Sequence, residues 1–135
     1  MTPKEIILDT NAVLRFITCD DTDRWQKVSD LLDTSDCIVP IEVIAEAVYN
    51  LDSSYGHTRK LISDEIKDFI AIKENLVTEE NVVRYGCNIF ASTNLDFVDC
   101  LLVGYANVSG NIVFSFDNPL NKKLVHKAFN LITTT

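Results

Sequence analysis

Short apolar runs alternate along this chain with longer segments of helical periodicity, and that alternation admits few folds. Lys4–Leu8 (KEIIL), Cys37–Val39 (CIV) and the continuous apolar run Ile112–Phe116 (IVFSF) read as strands, and Phe129–Ile132 reads as a closing one. Helical spacing runs through Asn11–Ile17 and through a segment with Trp25, Val28, Leu31 and Leu32, for which Thr22 or Asp23 is the expected cap. It continues through Ile41–Leu51, Arg59–Ile70, Val82–Phe90 and Asp96–Val108, and a short helix over Asn118–Lys127 follows Asp117. The order β-α-α-β-α-α-α-α-β-α-β predicts an α/β fold, a mainly parallel sheet with crossover helices.

A chain of 135 residues with no internal repeat, low-complexity tract or linker is expected to be one domain over residues 1–135. None of Cys19, Cys37, Cys87 and Cys100 stands two residues from another, so no zinc-knuckle spacing is present. Their apolar neighbours point to buried thiols, which suits a reducing cytoplasm. The first apolar run, Ile6–Leu8, is too short for a secretory leader. The longest apolar region, Phe97–Ala106, is broken by Asp99 and too short to span a membrane. The formal net charge is −8, which argues against a nucleic-acid binder working through a broad basic face. It leaves room for a nucleic-acid enzyme whose carboxylates are neutralised locally by cations.

Four acids stand out by position. Asp9 follows one apolar strand and Asp117 another, and ligands of open parallel sheets bind beyond the carboxyl ends of strands. Each also precedes a helix, so each also reads as a simple N-cap. On Ile41–Leu51, Val43, Ile44, Ala47, Val48 and Leu51 form one stripe at 100° per residue; Glu42 points away from it and Glu46 lies nearer its edge. Asp99 sits in LDFVDCLLVGYA, apolar on nearly every face. An unpaired carboxylate there would cost several kcal/mol, so it should be paired, protonated or metal-bound. Asp96, three residues earlier, can cooperate across one turn or serve only as a first-turn acid. Carboxylates sharing a cleft stay ionised only if a cation offsets their repulsion. All-oxygen ligation suits Mg²⁺ or Mn²⁺, ions that commonly serve phosphoryl chemistry.

The motifs LDTN at Leu8–Asn11 with Arg15 after it, VIAEAVYNL at Val43–Leu51, DFVDCLL at Asp96–Leu102 and FSFD at Phe114–Asp117 resemble a PIN domain. Within that family they look like the VapC-type toxin ribonucleases of toxin–antitoxin pairs. The resemblance implies a three-layer fold, a twisted parallel sheet between helices. It implies that Asp9, Glu46, Asp99 and Asp117 form an acidic site for Mg²⁺, with Mn²⁺ as a substitute. Asp96 would assist, and Thr10, Asn11 and Ser115 would brace the acids. The implied activity is metal-dependent endonucleolytic cleavage of RNA, in a homodimer held inactive by a cognate antitoxin. Arg15, Arg59, Lys60, Lys122 and Lys123 are the basic residues available to phosphates.

Other classes fit less well. A haloacid-dehalogenase-type phosphatase wants an aspartate where Asn11 stands. A receiver domain wants an acidic pair after its first strand. A non-catalytic PIN-like scaffold is the alternative from outside enzymology, and metal titration would separate it. For an antitoxin groove, Trp25, Val48, Tyr49, Tyr55 and Phe69 are the apolar candidates. His57 and His126, in polar contexts, read as surface residues.

Overall fold

Three parallel backbone segments, 6–8, 37–39 and 76–78, set the frame of the first half of the chain. A computed structural model of the protein describes residues 5–125. Strand β1 (Ile6–Ile7) pairs in parallel with β2 (Cys37–Ile38), in the register Ile6 to Cys37 and Ile7 to Ile38. Beyond β2, Val39 bridges Val77 in parallel, with the Val39 N–H donating to Leu76 at 2.7 Å and the Thr78 N–H to Val39 at 3.1 Å. The apolar LVT stretch at Leu76–Thr78 thus extends the ladder, a role its three residues are too few to announce by periodicity.

Helix α1 (Thr10–Thr18) begins where Asp9 caps it, and α2 (Thr22–Thr34) is capped by Asp21 rather than by Thr22 or Asp23. Asp21 wins because its backbone is extended while its side chain accepts the Arg24 N–H. α3 (Ile41–Ser53) buries Ile44, Ala47, Val48 and Leu51, four of the five stripe residues read from the sequence, with Val43 half-buried, and α4 (Arg59–Ile70) is capped by Thr58. Phe69, Ile44, Leu51 and Ile66 are fully buried, each contributing roughly 1.5–3 kcal/mol through apolar burial. Lys73 closes the end of α2, its Nζ donating to the carbonyls of Leu32 at 2.8 Å and Ser35 at 2.9 Å.

The described residues form two compact units, the first ending at Glu80 and the second starting at Asn81. In the second, α5 (Glu80–Ser92) and α6 (Phe97–Ser109) cross closely at Gly104, and a short α7 (Asn118–Asn121) packs on α6. Gly110, at φ +77°, ends α6 in the left-handed region that glycine enters without strain.

Two expectations are corrected. Ile112–Phe116 is not a strand of the ladder formed among the described residues, and Ile112, Phe114 and Phe116 are 56, 47 and 83% exposed. An apolar run supplies the side chains of a strand, but joining a given ladder also takes a backbone neighbour in register. The helix expected over Asn118–Lys127 stops at Asn121. The closing strand at Phe129–Ile132, and His126, lie outside the described residues. The sheet described is thus smaller than the three-layer expectation. No helix among the described residues is long and apolar enough to cross a membrane.

Candidate active site

In the second unit a cleft of about 580 Å³ is lined by three acidic and two basic residues: Asp96, Asp99, Asp117, Lys122 and Lys123. Thr93, Asn94, Leu95 and Pro119 complete its walls.

Local chain chemistry places each acid. The Thr93 hydroxyl donates to the Ile89 carbonyl at 2.8 Å and accepts the Leu95 N–H at 3.3 Å, turning the chain out of α5. Asp96 follows as the N-cap residue of α6, yet its side chain makes no capping bond. Asp99 lies in the first turn of α6, half-buried, next to a seam anchored by buried Cys100 and by Phe97 set edge-on against Phe90 at 5.5 Å. The helix is less enclosed than its sequence suggests: Val98 and Val108 are exposed, and Asp99 itself is half-buried.

Asp117 is held from both sides. Its Oδ2 accepts the Leu120 N–H at 3.0 Å, capping α7, and its own N–H donates to Ser115 Oγ at 2.9 Å. The Ser115 carbonyl in turn accepts from Asn121 Nδ2 at 2.8 Å. Buried Leu120 and Leu124 bracket the exposed Lys122 and Lys123.

Electrostatics single out Asp99. Burial pushes its carboxyl above the ordinary value, and the nearby charges of Asp96 and then Asp117 push it further. Among the described residues no basic side chain forms an ion pair with any of the three acids. Mutual repulsion without a paired cation is the donor chemistry that a hard divalent ion relieves. No three acidic, histidine or cysteine side chains among the described residues are grouped so as to hold an ion by themselves. Mg²⁺, however, is commonly bound through one or two carboxylates plus water and substrate phosphate, and this acid set fits that mode.

The first unit holds the other expected residues. Asp9 caps α1, its Oδ1 accepting the Ala12 N–H at 2.8 Å. Thr10 is the first residue of α1 and half-buried. Asn11 Oδ1 accepts from Arg15 Nε at 3.2 Å. Arg15 is engaged further, with Asp20 at 2.6 Å and the Tyr55 hydroxyl at 3.4 Å. Glu46 is exposed on α3, where Asn50 Nδ2 donates to its carbonyl at 2.9 Å. Lys60 pairs with Asp64 along α4 at 3.0 Å.

Several side chains differ from their sequence reading. His57 is half-buried and its Nδ1 meets Glu65 at 2.7 Å. Val48 and Phe69 are buried at 2% exposure and offer nothing to a groove, whereas Tyr49 is 65% exposed. Cys37, Cys87 and Cys100 are buried, but Cys19, at the end of α1, is exposed. The sequence reading passed over Thr93 and Asn94, whose only signal is a polar pair just before the DFVD motif. It also passed over Asp20, and it read Tyr55 as a groove residue, whereas the two converge on Arg15 from two separate turns.

No curated protein and no solved structure matches this chain. The family model described as PIN domain matches residues 6–123, nearly the whole length and every motif discussed above, and the chain belongs to the PIN domain family.

Proposed function

We propose that this protein is a Mg²⁺- or Mn²⁺-dependent endoribonuclease that hydrolyses RNA phosphodiester bonds. The observation that carries the reading is the cleft in which Asp96, Asp99 and Asp117 share space with Lys122 and Lys123. PIN domains are generally nucleases, and this cleft has the two charge types that phosphoryl chemistry needs. Acids hold a cation; ammonium groups hold phosphate.

Asp99 is the central acid in this proposal, because burial and its neighbours make its charge costly unless a cation is bound. Asp96 and Asp117 are the flanking oxygen donors. Asp117 is positioned by its bonds to Ser115 and α7, which leave its Oδ1 without a capping role. Lys122 and Lys123 bind the substrate's phosphates. When bound, the divalent ion supplies a nucleophile at neutral pH and offsets charge developing on the phosphate oxygens. Asp9 and Glu46 are assigned to the same chemistry on their motifs, with Thr10 and Asn11 in support.

The finer assignment is a VapC-like toxin, acting in the cytoplasm as a homodimer under a cognate antitoxin. It is supported by the order and spacing of LDTN, VIAEAVYNL, DFVDCLL and FSFD. Growth arrest on expression, relieved by Asp99→Asn, is the expected result for a toxin.

Cleavage of a single-stranded RNA with Mn²⁺ tests the central reading. Asp99→Asn should lower the rate at least about 100-fold, the order expected when a group stabilising transition-state charge is removed. Asp9→Asn and Glu46→Gln, measured separately, test the motif-based assignments. Undiminished cleavage by Asp99→Asn would remove Asp99 from the chemistry. A wild-type chain that neither binds Mn²⁺ nor cleaves RNA would favour the scaffold alternative.

A further inference from the structure

One side chain hydrogen-bonds the backbone of the segment that carries the cleft's two lysines to α6. On α6, Asn107 Nδ2 donates to the Lys123 carbonyl at 2.9 Å, and Asn107 Oδ1 accepts the Val125 N–H at 2.9 Å. Nδ2 also donates to the Tyr85 hydroxyl, from α5, at 2.9 Å. The orientation of the amide follows from its partners. A carbonyl only accepts and an N–H only donates, so nitrogen must face Lys123 and oxygen must face Val125. An amide that meets a carbonyl and an N–H two residues apart does for this backbone what a neighbouring strand would do. Leucine has the size but neither function; aspartate lacks the donor.

Lys122 and Lys123 stand in the cleft with the three acids, yet neither forms an ion pair among the described residues. Their charge is therefore not consumed by Asp96, Asp99 or Asp117. Hydrogen bonds from their N–H groups to Asn118 and Leu120 hold them behind α7. The far side of the pair has the Asn107 clamp as its anchor to α6.

We propose that Asn107 is a positioning residue for the basic wall of this cleft: it pins the 123–125 backbone to α6 so that Lys122 and Lys123 face the acids and bind the phosphates of an RNA strand. The assignment rests on the ribonuclease reading above.

The salt dependence of RNA binding tests it, because a single-strand binder's slope of log affinity on log salt counts its phosphate contacts. Wild type, Asn107→Leu, the K122A/K123A double variant and their triple combination would bind a fluorescent single-stranded RNA without divalent metal. Losing two contacts flattens the slope by about 1.4, 0.7 for each. The double variant and Asn107→Leu should each show that loss, and the triple variant should show no more than the double. Tyr85→Phe keeps both bonds from Asn107 to the 123–125 backbone and should keep the wild-type slope. If Asn107→Leu does not melt cooperatively, Asn107→Ser, too short to reach both backbone groups, takes its place. A wild-type slope in the Asn107 variant, or a further drop in the triple, overturns the assignment alone. A wild-type chain that binds no RNA at any salt in this metal-free titration also overturns the assignment, whereas the ribonuclease reading falls only if the same chain fails to cleave RNA with Mn²⁺.

Discussion

Arg15 and Asp20 are locked at 2.6 Å across the end of α1, and the Tyr55 hydroxyl donates to the same carboxylate oxygen at 3.0 Å. Thr18 donates to the other oxygen at 3.0 Å. The Arg15 hydrogen bond is the main reason the Asp20 carboxyl falls from 3.8 to about 2, with Thr18 and Tyr55 adding to it. A carboxylate lowered on folding stabilises the fold above its unfolded value, and that stability is lost as pH falls toward the folded value. The difference in melting temperature between wild type and Asp20→Asn should therefore be level above about pH 5 and close between 3.8 and about 2. A difference that persists undiminished at the acid end would show that Asp20 acts through packing and not through its charge.

The crossing of α5 and α6 predicts opposite results for two glycines. A Cβ at Gly104 would lie 2.8 Å from the Val82 carbonyl oxygen and 3.0 Å from its Cγ1, and the backbone oxygen cannot swing aside. Overpacking of this kind costs about 1–3 kcal/mol, against a gain of about 1 kcal/mol for alanine over glycine in a helix. Gly104→Ala should lower the urea midpoint at unchanged slope. At Gly86 the nearest atom is the end of the Leu101 side chain at 3.2 Å, which can move. Gly86→Ala should be neutral or stabilising. Equal losses at both sites would mean that the whole α5–α6 seam, and not one contact, sets the tolerance.

Much of this molecule was legible in its sequence because helices announce themselves locally. The stripe Ile44, Ala47, Val48, Leu51 sits where a period of 3.6 puts it, and Arg59–Ile70 has the predicted bounds. What depends on a distant partner was not legible. Ile112–Phe116 has a strand's composition yet lies outside the ladder formed among the described residues, while Val77, with little composition to recommend it, joins that ladder through Val39. In the site, Asp99 stood out because a carboxylate among apolar residues is costly anywhere. Asn107 did not, since an asparagine late in a helix looks ordinary until the backbone at Lys123 and Val125 is seen against it.

Ser63 offers a test of buried polarity. It lies on α4 at 1% exposure, and its hydroxyl finds no hydrogen-bond partner among the described residues. A buried unsatisfied polar group costs about 1–3 kcal/mol, so Ser63→Ala should raise stability by about 1 kcal/mol. Urea titration measures this directly. A loss of stability would instead indicate that the hydroxyl holds a buried water.

Asp99 joins stability to function with opposite signs. Its carboxyl is raised above 3.8 by burial first, and then by the charges of Asp96 and Asp117. An acid raised on folding contributes most when protonated, and that contribution fades as pH rises through the folded value. At neutral pH the ionised carboxylate therefore works against the fold, and Asp99→Asn, permanently neutral, should melt above wild type in metal-free buffer. The gap should narrow on acidification and vanish below the ordinary carboxylate range, where wild type is also neutral. Adding Mn²⁺ should then raise the melting temperature of wild type more than that of the variant, because a ligand bound only by the folded state stabilises it by mass action. The variant would thus be the more stable protein without metal and the poorer ribonuclease with it. A variant that melts below wild type at neutral pH in metal-free buffer would show that the Asp99 carboxylate is an asset to the fold, and the electrostatic case for a cation in this cleft would fall.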